Sequence, residues 1–162
     1  MGDRNLDSLS AAFYPKACEL IARCAARGVM LLVVQTSRTE AEHAANLAAG
    51  TSSASRSKHL PRRLRGMPIG PDAGKADAID LVPYAQFALY GPDKLTYDTA
   101  DPAFRVIGEE AERIGLRWGG RWQTPHDPGH AELPFPEDQA RLIAERARPW
   151  PAYRQNPNIR EA

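Results

Sequence analysis

His59, Asp80 and His130 lie far apart in the chain, yet two imidazoles and a carboxylate are a donor set that holds Zn²⁺ and leaves a fourth position open. An open position can carry and activate a water, which separates a catalytic zinc from a structural one. Asp127 precedes His130 by three residues, and a carboxylate there is placed to act as the base for that water. The combination points to hydrolysis. Each residue also has an ordinary reading. His59 closes the polar, basic stretch Ser57-Lys58-His59 and would be solvated there. Asp80 interrupts the apolar run Ala78-Ile79-Asp80-Leu81-Val82, where a carboxylate is expensive to bury unless a cation or several donors meet it. A sheet edge would also accommodate it. His130 belongs to the turn Asp127-Pro128-Gly129-His130, where the aspartate can cap the turn and the histidine can be exposed. His126 competes as a ligand, although Pro128 and Gly129 disfavour a helical His-x3-His pair.

Side chains so far apart need elements that bring them together. Residues 15–27 read as an amphipathic helix, with Ala17, Cys18, Ile21 and Ala25 at helical spacing and Gly28 placed to end it. Residues 29–34, Val-Met-Leu-Leu-Val-Val, follow as a buried strand. Thr39-Glu40-Ala41-Glu42 matches a capping box and starts a helix to about Ala49, before Gly50. Arg38 therefore sits between a strand end and a helix start. Residues 51–75 read as loop, and 76–82 as a second strand closed by Pro83. Asp101-Pro102 begins a helix whose buried stripe is Phe104, Ile107, Ala111 and Ile114, up to Gly115. Leu116-Arg117-Trp118 starts a third strand, broken by Gly119-Gly120. A last helix fits residues 137–148, ended by Pro149. Helices and strands mixed in this way favour an α+β fold.

The 162 residues suit a single domain, with its core at about 9–133 followed by the C-terminal helix. With 43% hydrophobic and 25% charged residues the composition is that of an ordinary globular protein, and a net charge of +1 argues against a general polyanion-binding surface, nucleic acid included. Cys18 and Cys24, six apart on one helix, point to different faces and read as thiols rather than a disulfide or ligands. The longest apolar run is too short to span a bilayer, and the N-terminus shows no signal-peptide pattern, so the expectation is a cytosolic product without membrane insertion.

These residues carry a resemblance. Ser57-Lys58-His59, Ala78-Ile79-Asp80-Leu81-Val82-Pro83, Trp118-Gly119-Gly120-Arg121-Trp122 and Asp127-Pro128-Gly129-His130 resemble the motifs of the D-Ala-D-Ala carboxypeptidase-type zinc peptidases, most closely the L-alanyl-D-glutamate endopeptidases of phage endolysins and autolysins. The run from Gly28 to Arg38 is similar to the strand that leads into that family's active-site arginine. The resemblance implies a small antiparallel sheet flanked by helices, with zinc in a cleft on the sheet. It implies His59, Asp80 and His130 as zinc ligands, Asp127 as general base and acid, and Arg38 as the cation facing the scissile carbonyl. Ser57 would orient a ligand or the loop rather than act as nucleophile, and Trp122 would lie near the substrate while Trp118 is core. The pattern departs in three places. His59 and Asp80 are 21 residues apart where about seven is usual, which introduces the insert 61–75 and leaves Asp77 as a rival ligand. Gly129 stands where proline is frequent. His43 stands where glutamine is common and reads as a surface helix residue.

Arg56, Lys58, Arg62, Arg63, Arg65 and Lys75 against Asp72 predict a basic mouth to the site, suited to the carboxylates of peptidoglycan stem peptides. The C-terminal helix, with Arg141, Arg146 and Arg148, reads as a packing helix that could also favour an anionic surface. The expected protein is a monomeric, endolysin-type zinc endopeptidase acting on L-Ala-D-Glu. It would be held in the bacterial host cytoplasm until a partner permeabilises the membrane. The alternatives are a D,D-carboxypeptidase or dipeptidase of the same fold, and a non-catalytic zinc-containing cell-wall-binding domain.

Overall fold

The computed structural model describes residues 2–50, 52, 57–68, 70–84 and 95–161. Helix α1 (Tyr14–Ala26) starts with Pro15 in its first turn, turns Ala17, Leu20 and Cys24 inward, and ends before Gly28 at φ 86°. Strand β1 (Leu31–Gln35) begins two residues later than the apolar run suggested, because Val29 N–H still closes on Cys24 C=O of the helix end. The capping box at α2 (Glu40–Ala48) is formed in full: Thr39 Oγ1 accepts from Glu42 N–H, and Glu42 accepts from Thr39 N–H. After β2 (Ala78–Pro83), Asp101 caps α3 (Pro102–Arg113) by accepting from Ala103 N–H at 2.8 Å. The chain closes with β3 (Arg117–Trp118), β4 (His130–Glu132) and α4 (Gln139–Arg146).

The four strands form one antiparallel sheet in the order β1-β2-β4-β3, the α+β arrangement expected. Because side chains alternate along a strand, the register sorts the residues onto two faces. Val33 opposite Leu81, Ile79 opposite Ala131, and Ala131 opposite Trp118 form the apolar face. Phe13, Leu20 and Cys24 of α1 and its approach, with Phe104, Ile107 and Ala111 of α3, cover that face and complete the core. Each large side chain so buried contributes about 1.5–3 kcal/mol relative to exposure. The other face carries a polar row, in which Gln35 of β1 pairs with Asp80 of β2 and Asp80 pairs with His130 of β4. One step along, Glu132 faces Arg117. A register shift between Val33 and Gln35 lets β1 keep its apolar side on the core and still deliver Gln35 to this row.

Trp118 is core, as expected, and explains two glycines packed against it. A Cβ on Gly120 would stand 2.1 Å from the Trp118 ring, and one on Gly108 of α3 would stand 2.5 Å from it. The indole N–H donates to Pro128 C=O at 2.8 Å, which ties the core tryptophan to the turn before His130.

Three expectations need correction. Residues 130–132 form a strand rather than the end of an exposed turn, since β2 and β3 pair with them from both sides. Of the cations expected at the site's mouth Lys58 lines the cleft, but the described arginines of the insert do not. Arg62 and Arg65 turn inward onto Asp77, which is fully buried and also accepts from Ser10 Oγ at 2.5 Å, while Lys75 donates to Asp7 C=O. Arg63 is exposed, and Arg56 lies outside the described residues. Finally, His43 is buried rather than on the surface, with neither ring nitrogen hydrogen-bonded among the described residues.

Candidate metal centre

His59 enters from the loop before the insert, Asp80 from β2 and His130 from β4. Their ligand atoms all lie within 4.8 Å of one another. His59 Nε2 is 3.1 Å from Asp80 Oδ1 and 3.3 Å from His130 Nδ1, and His130 Nδ1 is 2.9 Å from the same Asp80 oxygen. Three donors from separate elements thus converge on one point, and they can hold a metal ion.

The fit rests on the outer nitrogens of the two rings. His59 Nδ1–H donates to Thr36 C=O at 2.8 Å, which leaves Nε2, facing the cluster, as the nitrogen that would offer its lone pair to a metal. His130 Nε2–H donates to Glu132 Oε2 at 3.0 Å, which leaves Nδ1 facing it. Outer hydrogen bonds of this kind set the tautomer and orientation of metal-binding histidines. Neither partner was identifiable from motif spacing. Glu132 is detectable in retrospect, because two residues along a strand share a face, but Thr36 acts through its backbone and leaves no mark in residue type.

The two rival ligands fall away. Asp77 lies three residues from Asp80, so the strand alternation sends it to the other side, where Arg62, Arg65 and Ser10 occupy it. His126 is exposed and lines a separate depression with Trp150. Gly129, at the position where proline is frequent, approaches β2 closely: its C=O accepts from Leu81 N–H at 2.9 Å, and a Cβ there would sit 2.6 Å from Leu81 O.

The cluster stands in a cleft of about 670 Å³ whose lining includes Arg38, Ser57, Trp122 and Asp127. Arg38 is fixed at both ends. Its backbone N–H donates to His59 C=O at 2.9 Å, and its guanidinium donates through Nε and Nη2 to Gln35 Oε1. Because the anchor is a neutral amide oxygen, the arginine keeps its charge available. Ser57 is buried and its Oγ accepts from His59 N–H at 3.3 Å, so its hydroxyl shapes the loop that presents the ligand. Trp122 packs on the His130 ring with centroids 4.9 Å apart, and the Arg117 guanidinium lies over it at 4.7 Å.

Electrostatics follow from burial and pairing. Burial opposes charge on Asp80, but the His59 charge and hydrogen bonds from both histidines outweigh it and hold the carboxyl far below its usual range. Burial likewise lowers His130, yet Asp80 and Glu132 prevail and push it up to about 10. Asp127 differs. Burial, assisted by the Asp80 charge and opposed by His130 and His59, raises it. A carboxyl displaced upward is a better proton carrier near neutral pH.

Behind the cluster runs a chain of paired charges. Arg117 Nη1 donates to Glu132 at 2.8 Å and Nε donates to Glu145 of α4 at 2.8 Å, while Lys58 contacts Glu132 at 3.3 Å and pairs with Asp138. The carboxylate that orients His130 is therefore itself held by two cations.

Residues 75–133 match the family described as D-alanyl-D-alanine carboxypeptidase. No curated protein sequence matches the chain. Among solved structures, the crystal structure of the Serratia marcescens L-Ala D-Glu endopeptidase ChiX superposes with a TM-score of 0.54 at 20% identity, over 85% of this chain and 91% of that one. At that identity the likeness is one of fold. The family match and the shared fold together bear out the resemblance read from the motifs, and the family match supports a peptidase. The chain is thus similar to the D-alanyl-D-alanine carboxypeptidases over the segment that carries Asp80, Asp127 and His130, and it shares its fold with an L-Ala D-Glu endopeptidase over most of its length.

Proposed function

We propose that the protein is a zinc-dependent peptidoglycan endopeptidase that hydrolyses the L-Ala-D-Glu bond of the stem peptide. The observation that carries this reading is the convergence of His59, Asp80 and His130 with both outer ring nitrogens engaged, in a cleft that also holds Asp127 and Arg38. Two imidazole nitrogens and one carboxylate oxygen suit zinc with an open position. When bound, zinc supplies Lewis acidity to a carbonyl and lowers the pKa of water toward ~7.

The chain's own residues supply the rest. Asp127 takes the proton of the attacking water on its carboxylate and passes it to the leaving amine, a role its raised pKa favours. Arg38, held by Gln35, donates to the oxyanion that develops on the scissile carbonyl. Ser57 keeps the His59 loop in place, and Trp122 offers an apolar wall to the substrate. The proposed enzyme acts as a monomer. Expression in the bacterial host cytoplasm, with access to the wall after membrane permeabilisation as in an endolysin, completes the proposal.

Mass analysis of muropeptides digested by the zinc-loaded protein tests the bond: a new N-terminal D-glutamate is expected, and release of terminal D-Ala would replace this reading with a D,D-carboxypeptidase. Asp127→Ala should keep its zinc and lose roughly 10²- to 10⁴-fold in turnover. Full retention of wall degradation by that variant would remove Asp127 from the mechanism, whereas a wild type that binds the wall without degrading it, with binding unchanged in Asp127→Ala, would point instead to a binding domain.

A further inference from the structure

The cations that face the cleft are not those of the insert. Helix α4 and its exit form one wall of the cleft, through Arg141, Glu145 and Arg148. These three recur at i, i+4 and i+7, the spacing that places side chains on one face of a helix. The wall is tied down along its length. At its start Asp138 pairs with Lys58, in its middle Glu145 takes Arg117, and Arg146 donates to Leu116 C=O at 3.2 Å. Just past its end, Arg148 Nη1 donates to Arg121 C=O at 2.9 Å, while Arg121 donates back to Arg148 C=O.

This anchoring uses up the wall's carboxylates. Asp138, Glu132 and Glu145 are each committed to Lys58 or Arg117. Arg141 and Arg148 meet no carboxylate among the described residues, and Arg141 has no hydrogen-bond partner there either. Two guanidiniums without counter-ions therefore flank the buried Glu145 on a fixed wall of the cleft. An arginine fork is suited to bidentate recognition of a carboxylate.

Resting on the peptidase reading above, we propose that Arg141 and Arg148 form a carboxylate-binding subsite that selects stem peptides with free side-chain or α-carboxylates over amidated ones. The subsite lies on the wall that α4 and its exit give the cleft, and it gives this helix a role in substrate choice.

The test uses two stem tripeptides, one with the D-glutamate and third-residue carboxylates free and one with both amidated. Their affinities are measured by calorimetry on the zinc-loaded Asp127→Asn protein, which separates binding from turnover, and their kcat/KM values on the wild type. The free acid should bind roughly ten- to hundredfold more tightly, the range of a charge-assisted hydrogen bond. Arg141→Gln and the Arg141→Gln/Arg148→Gln pair, added to Asp127→Asn, should shrink that preference stepwise toward unity at unchanged zinc content. Arg141 is exposed and has no partner among the described residues, so its single variant stays folded and informative. Equal binding of the two peptides, or a preference that survives the double change, would overturn the subsite. A wild type that binds the acid selectively but cleaves neither peptide would overturn the peptidase reading and leave the subsite standing.

Discussion

Replacing Glu132 by alanine leaves the His130 Nε2–H without its acceptor and frees the ring to turn away from Asp80. Metal affinity should fall about 10- to 100-fold, read by chelator competition, and Glu132→Gln, which keeps an acceptor oxygen, should fall less. His59→Ala, Asp80→Ala and His130→Ala should each lose the ion outright, whereas Asp77→Asn should retain it. Loss of metal from the Asp77 variant together with retention in the Asp80 variant would reverse the ligand assignment. Protons provide a separate check. Without metal, Asp80 and Glu132 hold His130 protonated, with its pKa pushed up to about 10. An ion arriving at pH 7 must displace that proton, so about one proton per ion should be released, as measured by calorimetry in buffers of differing ionisation enthalpy. Affinity should weaken as the pH falls. His59, Asp80, His130 and Asp127 were legible because residue type is itself the chemistry. Thr36 and Gln35 were not, since one acts through its carbonyl and the other gains meaning only beside Arg38.

The insert between His59 and Asp80 behaves as an element with its own anchor, the buried Asp77 with Arg62 and Arg65. Burial raises the Asp77 pKa, but hydrogen bonds from Arg62, Ser10 and Arg65 outweigh it, and the net shift is downward. A depressed folded-state pKa gives stability that is complete above the unfolded value of about 3.9 and is lost as the pH falls through the folded one. The protein should therefore lose thermal stability on acidification below about pH 4. Asp77→Asn should be less stable at pH 7, and its melting temperature should depend less on pH in that window. At the sheet's far end, Gly120→Ala would press a methyl into Trp118 and should cost about 1–3 kcal/mol, measured by denaturant unfolding. Helices α1, α2 and α3 were readable to within a few residues because caps and apolar spacing are local. Strand β4 was not, because three residues behind Pro128-Gly129 have no periodicity of their own and exist as a strand only between β2 and β3.

Across the whole molecule the sheet divides two tasks. Its apolar face, covered by α1 and α3, supplies the core, and its polar face lines up Gln35, Asp80 and His130 in a cross-strand row. Among the described residues no helix is long and apolar enough to cross a membrane. If the protein waits in the cytoplasm as proposed, bacteria expressing it should stay intact until the membrane is permeabilised with chloroform and then lyse. Lysis without permeabilisation would contradict that route. The sequence by itself determined the residue types that could hold a metal, a candidate proton carrier in Asp127 and the order of most helices and strands, since these depend on residue chemistry and short-range spacing. Tertiary structure alone decided which aspartate joins the histidines, where the arginines of the insert point and which cations face the cleft. Those outcomes depend on strand register and on long-range ion pairs: a shift of one residue would exchange the faces of β2, and a charge count cannot tell an arginine buried against Asp77 from one exposed on α4.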